Sequence, residues 1–349
     1  MDSLRRAFEA RWYGADAPWT LRPLGLAFGL LVGARRWAFR RGILSSGHPG
    51  VPVIVVGNIS VGGTGKTPLV LWLVQQLQAL GLRVGVVSRG HGARHRARAP
   101  RLVTASDSAD EVGDESLLLA RRAECPVCVG IDRLAAARLL AEEGCQVIVA
   151  DDGLQHYALR RDFEIAVVDG ARGAGNGRLL PAGPLREPVR RLAEVDAVVI
   201  NGKLRDSDPQ DGNLHATLTG IAIAEKRCSM SLRPVQFVRL VSGEGSSVPA
   251  WRGRRVHAVA GIGNPARFFA TLRSLGLDPV AHAFADHHRF QPADLAFGDG
   301  QDIVMTEKDA VKCREFADDR MWFLQAAIQF DSDGATRLLQ QVRTRIAGT

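Results

Sequence analysis

The chain has 349 residues, 46% of them apolar and 23% charged, which is material for about two domains with real cores and excludes a chain that stays disordered. Its formal net charge of +8 favours anionic partners, whether nucleotides, phospholipid surfaces or nucleic acid, without choosing among them. Five cysteines, an odd number in a long chain, argue against a disulfide framework and for a reduced, cytosolic setting.

Residues 1–50 carry eight arginines against three acids, so most of the excess charge lies there. Leu24–Ala34 is apolar over eleven residues, well short of the ~20 that a spanning helix needs. Arg35, Arg36, Arg40 and Arg41 follow it, where a signal peptide would have a small-residue cleavage site. On a helical wheel Gly25, Gly29, Gly33, Arg36 and Arg40 share one stripe, and Leu24, Ala27, Phe28, Leu31, Ala34 and Ala38 lie largely opposite. Trp12, Trp19 and Trp37 add aromatics of the kind that settle at membrane interfaces. The pattern predicts a segment lying on an anionic membrane, apolar side in lipid and arginines on phosphates. The alternative is a helix docked on the protein's own core through its glycines.

From residue 51 strands and helices alternate. Val51–Val56 is a β-branched run of the kind buried on both faces of a sheet. A glycine loop, a helix over about 65–80 and a strand at Arg83–Ser88 follow. His91–Arg101 holds four arginines and no acid; Arg94, Arg96 and Arg98 would share one face if extended, either in a solvated loop or on a substrate phosphate. Cys125 and Cys128 form a C-x-x-C, but they enter a strand, Pro126–Val129, and no second pair at zinc spacing exists, so packing is the expected role. A helix at Arg133–Glu143 and strands at Cys145–Ala150, Phe163–Val168 and Ala197–Ile200 continue the alternation. Residues 204–235 are polar and weakly periodic, and Val235–Val241 is a candidate connecting strand. A second run then gives strand Val256–Ala260, a helix over about 265–275, and strands Ile303–Thr306 and Trp322–Leu324. The expected organisation is a membrane-contacting segment (1–50), a larger α/β domain (51–234) and a smaller one (235–349), built on mostly parallel sheet covered by helices.

The sharpest motif is Val53-Ile-Val-Val-Gly-Asn-Ile-Ser-Val-Gly-Gly-Thr-Gly-Lys-Thr67, a buried strand, a glycine-rich turn and a helix start, which is the context of an NTPase P-loop. Ser60, Val61, Gly62, Gly63, Thr64 and Gly65 would turn backbone N–H groups toward phosphates, Lys66 would reach the β- and γ-phosphates, and the Thr67 hydroxyl would take Mg²⁺. Ser60 stands where the strict pattern has its first glycine. Asp151 and Asp152 end the strand before Gly153-Leu-Gln-His156, at the crevice where open α/β sheets bind ligands. Adjacent carboxylates are costly without a cation to offset them, so one of the two is expected to hold Mg²⁺, directly or through water. Asp114, in Gly113-Asp-Glu115, is by position first of all a helix N-cap, with a catalytic base as the alternative. Asp286-His-His-Arg-Phe290 is a histidine cluster in a short loop that can supply a base or its orienter, and Thr306-Glu-Lys-Asp309 reads as a helix cap.

Together these stretches resemble the tetraacyldisaccharide 4'-kinase family. The resemblance runs through Val56–Pro68, Ser88-Arg89-Gly90, Gly113–Glu115, Asp151–His156, Leu179-Leu-Pro-Ala-Gly-Pro-Leu-Arg-Glu187, Ala260-Gly-Ile-Gly-Asn-Pro265, Asp286–His288 and Thr306–Asp309, in order over most of the chain. His91 stands where that family is expected to carry tyrosine. The resemblance implies transfer of the ATP γ-phosphoryl group to the 4'-hydroxyl of tetraacyldisaccharide 1-phosphate, a step of lipid A biosynthesis, at the cytoplasmic side of the bacterial inner membrane. It implies Asp114 as general base with His287 as its partner, and Arg133, Arg186 and Glu187 around the nucleotide and metal, with Arg89, Gln155 and His156 as further candidates. Rival readings are a P-loop transferase or ligase on a soluble acid, or a nucleotide switch. A guanine-reading Asn-Lys-x-Asp is not met by Asn201-Gly-Lys-Leu204, and no nucleic-acid-binding module is recognisable.

Overall fold

The structure is a computed structural model that describes residues 12–13, 19–93, 99–104, 106–204, 214, 218, 226–331 and 333–348. The arginines at 94, 96 and 98 lie outside the described residues. The alternation read from the sequence becomes one mixed, mostly parallel α/β sheet of 13 strands.

Its centre is β1 (Val53–Gly57), parallel to β5 (Val147–Asp151) on one side and β6 (Phe163–Asp169) on the other. Burial on both faces explains the unbroken β-branched run. Val53 and Val55 pack with Ala136, Ala137 and Leu140 of α5 (Arg133–Glu142), while Ile54 and Val56 face Leu69, Leu73 and Leu77 of α2 (Lys66–Ala79). Each such side chain contributes about 1.5–3 kcal/mol when fully buried, so the loop leaving β1 starts from a rigid base. Outward from β5 come β2 (Val84–Ser88), β4 (Val127–Val129) and the short antiparallel β3 (Arg101–Val103). The capped turn α3 (Ala109–Val112) leads into α4 (Asp114–Arg122). Outward from β6 comes β7 (Ala197–Asn201).

The expected junction near 230–240 falls within β8 (Arg227–Arg239), a single 13-residue strand. Its first residues pair in parallel with β7, and from Met230 onward it pairs antiparallel with β13 (Met321–Phe330). The hairpin partner β9 (Gly245–Ser247) follows. Beyond β13 the sheet continues through β12 (Ile303–Thr306), β10 (Arg255–Ala260) and β11 (Asp278–Ala283), covered by α6 (Pro265–Ser274) and α7 (Glu307–Cys313), while α8 (Gly334–Ala347) returns to pack on β6 and β8. Cys125 and Cys128 are free thiols, and burial pushes them up to about 12 and about 11, which leaves them inert.

The N-terminal segment forms α1 (Arg22–Arg40), and no described helix is long and apolar enough to cross a membrane. Gly25 and Gly29 of the glycine stripe face inward, where a Cβ on Gly25 would lie 3.1 Å from the Ala182 Cβ and one on Gly29 would meet Leu179, while Gly33 is exposed. Arg36 and Arg40 both reach Glu194, so these two arginines are held by the protein and not turned toward lipid phosphates. The opposite face is open: Leu26 and Leu30 are 72% and 76% exposed, with Leu24, Leu31 and Trp37 beside them. The docked reading of the wheel therefore describes its inner face, and the outer face is apolar and exposed.

Candidate active site

The P-loop, the paired aspartates and the second histidine cluster converge on one cleft of about 1230 Å³. β1 delivers its nearest wall. Gly65 sits in the left-handed region at φ +92°, where a Cβ would meet the Asn201 amide at 2.5 Å. That amide, at the end of β7, donates to the Thr64 carbonyl at 3.0 Å, so only glycine lets the neighbouring strand hold the loop so closely. From outside, the Val61 N–H donates to the Pro184 carbonyl and the Arg186 N–H to that of Ile59. Val61, Gly62, Gly63, Thr64, Gly65, Lys66 and Thr67 all line the cleft, while Ser60 lies behind them in a bridge to Leu185. The first turn of α2 therefore opens its free N–H groups into the cleft, as an anion site requires.

Lys66 Nζ donates to Asn58 Oδ1 at 3.2 Å and lies 3.4 Å from Asp152 Oδ1. Asp152 also accepts from Arg186 Nη1 at 3.1 Å, and its carbonyl accepts from Arg133 Nη1 at 2.8 Å. Burial alone would raise the Asp152 carboxyl, but Lys66, Arg186 and Arg133 together hold it well below the usual carboxylate range. Asp151 beside it has the opposite fate. It is buried with Oδ1 unpartnered, and burial and the Glu115 carboxylate outweigh Lys66 and push it up to about 7. The unpartnered Asp151 oxygen and the Thr67 hydroxyl at the helix start are oxygen donors of the kind a hard divalent cation prefers.

Across the cleft, the loop after β11 brings His287 to Asp114. Its Nδ1 lies 3.1 and 3.0 Å from the two Asp114 oxygens, although 173 residues separate the pair. Asp114 is the first residue of α4, capped by Gly113, and its Oδ1 also accepts the Glu115 N–H at 2.9 Å. The carboxylate is only 4% exposed. Burial would raise it, but the hydrogen bond from His287 and the charges of Lys308 and Lys312 hold it well below its usual range. A carboxylate can only accept, so Nδ1 carries the proton and Nε2 is the acceptor of neutral His287. Lys308 agrees with that tautomer, since its ammonium lies 3.4 Å from Nε2 and can only donate. Lys308 also pairs with Glu115 at 3.0 Å, and its acidic neighbours overcome burial to push it up. His287 lines the cleft with His91 and Glu115, whereas Asp114 sits behind it. Both His287 and Asp152 adopt left-handed backbone (φ +61° and +49°), uncommon for residues with side chains and typical of positions held for function.

The remaining candidates separate. Arg89, Gln155 and Arg186 line the cleft. Arg133 is buried beneath Asp152, and Glu187 is buried against the Tyr157 hydroxyl and Arg191, so Glu187 faces away from the phosphate loop's cleft. His156 packs behind the site, where burial and Arg133 push it down to about 4. His288 is turned to Asp294, 3.0 Å away. Sequence reasoning missed Asn58, Asn201, Asp169, Arg267 and Lys308. Arg267 spans from the second half of the chain to Asp169 (3.8 Å) and Asn201 (3.4 Å). Asp169 ends a buried strand at the same edge as Asp151, a position that could have marked it. The far wall is apolar, with Phe28, Leu31 and Val32 of α1 and Leu232, Leu324 and Ile328 of the β8–β13 ribbon.

A family model described as tetraacyldisaccharide-1-P 4'-kinase matches residues 17–344. Tetraacyldisaccharide 4'-kinase from Alkalilimnicola ehrlichii is 50% identical over 318 residues, 90% of each chain. Its namesake from Pseudomonas putida F1 is 48% identical over 323 residues, 92% of each. Among solved structures, LpxK from Aquifex aeolicus in complex with ATP superposes with a TM-score of 0.76 at 26% identity, covering 94% of this chain and 98% of that one. The phosphate loop, the acids beside it and a match over nearly the whole chain lead to one conclusion: this chain belongs to the tetraacyldisaccharide-1-P 4'-kinase family.

Proposed function

We propose that the cleft transfers the γ-phosphoryl group of ATP to the 4'-hydroxyl of tetraacyldisaccharide 1-phosphate, the kinase step of lipid A biosynthesis. The carrying observation is one cleft with a phosphate loop at one wall, a buried Asp–His pair opposite and an apolar wall between them. A soluble sugar needs no such apolar wall; four acyl chains do.

In this reading the N–H groups of Gly62–Thr67 and Lys66 hold the β- and γ-phosphates, and Arg186 and Arg89 offset further charge. The residues fit Mg²⁺: Thr67 and Asp151, whose Oδ1 lacks a partner, would hold it, with Asp152 fixed by Lys66 and Arg186 alongside. When bound, the ion supplies charge neutralisation across the phosphate oxygens. His287 takes the proton of the attacking hydroxyl at Nε2, since it faces the cleft and Asp114 does not; the hydroxyl displaces the 3.4 Å contact from Lys308, which keeps Glu115 at 3.0 Å. Asp114 holds the tautomer and offsets the imidazolium that forms. This exchanges the roles expected from the sequence within the same pair. Because Asp114 and Lys66 belong to the stretch 51–234 and His287 and Lys308 to the stretch 235–349, catalysis requires both lobes to meet on the substrate.

The open face of α1 is proposed to rest on the cytoplasmic leaflet of the bacterial inner membrane, delivering the acyl chains to the wall that Phe28, Leu31 and Val32 form. An unpartnered apolar helix face next to the substrate cleft supports this. To test the activity, the purified protein is incubated in detergent with γ-labelled ATP and either tetraacyldisaccharide 1-phosphate or soluble sugars. Label should enter the lipid alone; equal labelling of soluble sugars would contradict the reading.

A further inference from the structure

A second groove, of about 540 Å³, lies where the start of α1 meets the loop 177–190, and it shares no lining residue with the cleft. Gly25, Leu26, Leu179, Ala182 and Val189 give it an apolar floor, and Arg22, Arg178 and Arg190 complete its lining. The arginines of this region are sorted by direction. Arg36 and Arg191 face the core and are paired, with Glu194 and with Glu164 and Glu187, and the exposed Arg40 also reaches Glu194. Among the described residues, Arg22, Arg178 and Arg190 have no carboxylate within ion-pair distance. Leu26 belongs both to the groove and to the exposed apolar face that continues through Leu30 and Trp37.

Three free guanidinium groups beside an uncovered apolar face call for an occupant that carries both an anion and hydrocarbon. We propose that this groove binds the phosphate headgroup of an anionic phospholipid, with Arg22, Arg178 and Arg190 on its oxygens and its chains along Leu26 and Leu30. The planar donor fork of arginine suits phosphate oxygens in pairs. The inference rests on the membrane reading of α1 and adds to it a defined lipid site, distinct from the substrate cleft. It also explains how an arginine-rich segment meets an anionic surface after Arg36 and Arg40 have been taken up by Glu194.

The test is sedimentation of the full chain with vesicles of phosphatidylcholine alone and of equal parts phosphatidylcholine and phosphatidylglycerol. The wild type should favour the mixed vesicles. Each basic residue near an anionic surface is worth about fivefold in binding, so Arg178→Gln/Arg190→Gln should lose roughly twenty-five-fold on mixed vesicles and keep its binding to phosphatidylcholine. Leu26→Ser/Leu30→Ser should weaken binding to both. If the arginine variant keeps the wild-type preference while the leucine variant loses binding, the lipid site is wrong and the membrane reading survives. Undiminished binding by the leucine variant would instead sink the membrane reading. Release by inorganic phosphate beyond that caused by chloride of equal ionic strength would mark a site for the free anion and overturn the lipid assignment.

Discussion

Replacing Asp114 by asparagine keeps the volume of the side chain and attacks only its chemistry. Oδ1 accepts the Glu115 N–H at 2.9 Å, and Oδ2 faces His287 Nδ1 at 3.0 Å with Lys312 at 3.6 Å and Lys308 at 3.8 Å. Every neighbour is a donor. Either orientation of an asparagine amide therefore sets its N–H₂ against another N–H or ammonium, and the charge that would offset an imidazolium is gone. Lys308 keeps Glu115 and Lys312 keeps Asp309 at 2.7 Å, so the fold should lose only about 1–3 kcal/mol, the cost of an unsatisfied buried group. General-base assistance is worth about 10²–10⁴-fold, and kcat should fall by that order in Asp114→Asn and in His287→Ala. ATP affinity, measured by calorimetry, should hardly move, because neither residue touches the phosphate loop. Groups acting as a unit are non-additive, so Asp114→Asn/His287→Ala should be scarcely worse than the poorer single variant. Multiplying losses, or single variants within a few-fold of wild type, would refute the dyad.

Lys66→Ala should leave a folded protein whose turnover falls by about 10²–10³-fold or more, as for loss of a charge-stabilising donor; near-normal kcat would remove the phosphate role. Asp151 is protonated more readily than an ordinary aspartate, pushed up to about 7, and a cation favours its ionised form. Mg²⁺ affinity should therefore weaken as pH falls through neutrality, with proton release on binding seen by calorimetry in two buffers, and Asp151→Asn should abolish that dependence. His288→Ala should retain kcat, since His288 is held by Asp294 and packs tilted against Phe284 and edge-on to Phe290; if it is the damaging change, the wrong histidine has been chosen. Gly25→Val must displace α1, because its Cβ would sit 3.2 Å from the Leu179 carbonyl. The KM for the lipid substrate should rise several-fold while that for ATP stays put.

What the sequence made legible was local. Val53–Thr67 carries strand, turn and helix start within fifteen residues, and burial on both faces of β1 leaves its mark as an unbroken apolar run. The pair Asp151–Asp152 was visible for the same reason. Contacts that depend on the sheet order were not. Asn201 reaches the phosphate loop only because β7 lies two strands from β1, and Lys308 reads as part of a helix cap until α7 packs against α4. Glu187 resembled a metal-site residue by its motif, yet Arg191, four residues on, pairs with it in the core. β11 was missed because an edge strand is half exposed and starts Asp-Pro, and only the second half of β8 was expected, at Val235–Val241, because its first half lies in weakly periodic sequence. The wheel of α1 separated its two faces correctly but could not tell that Glu194 would claim Arg36 and Arg40.

The central claim is that one cleft brings a phosphate loop and a histidine base to a single hydroxyl of a lipid. Its most direct measurement is single-turnover transfer from γ-labelled ATP to tetraacyldisaccharide 1-phosphate by the wild type and by His287→Ala, with the product position read by phosphorus NMR. The account predicts one new phosphomonoester, at the 4' position, formed about 10²–10⁴-fold more slowly by the variant with ATP still bound. Phosphate on another hydroxyl, or equal rates for the two proteins, would contradict it.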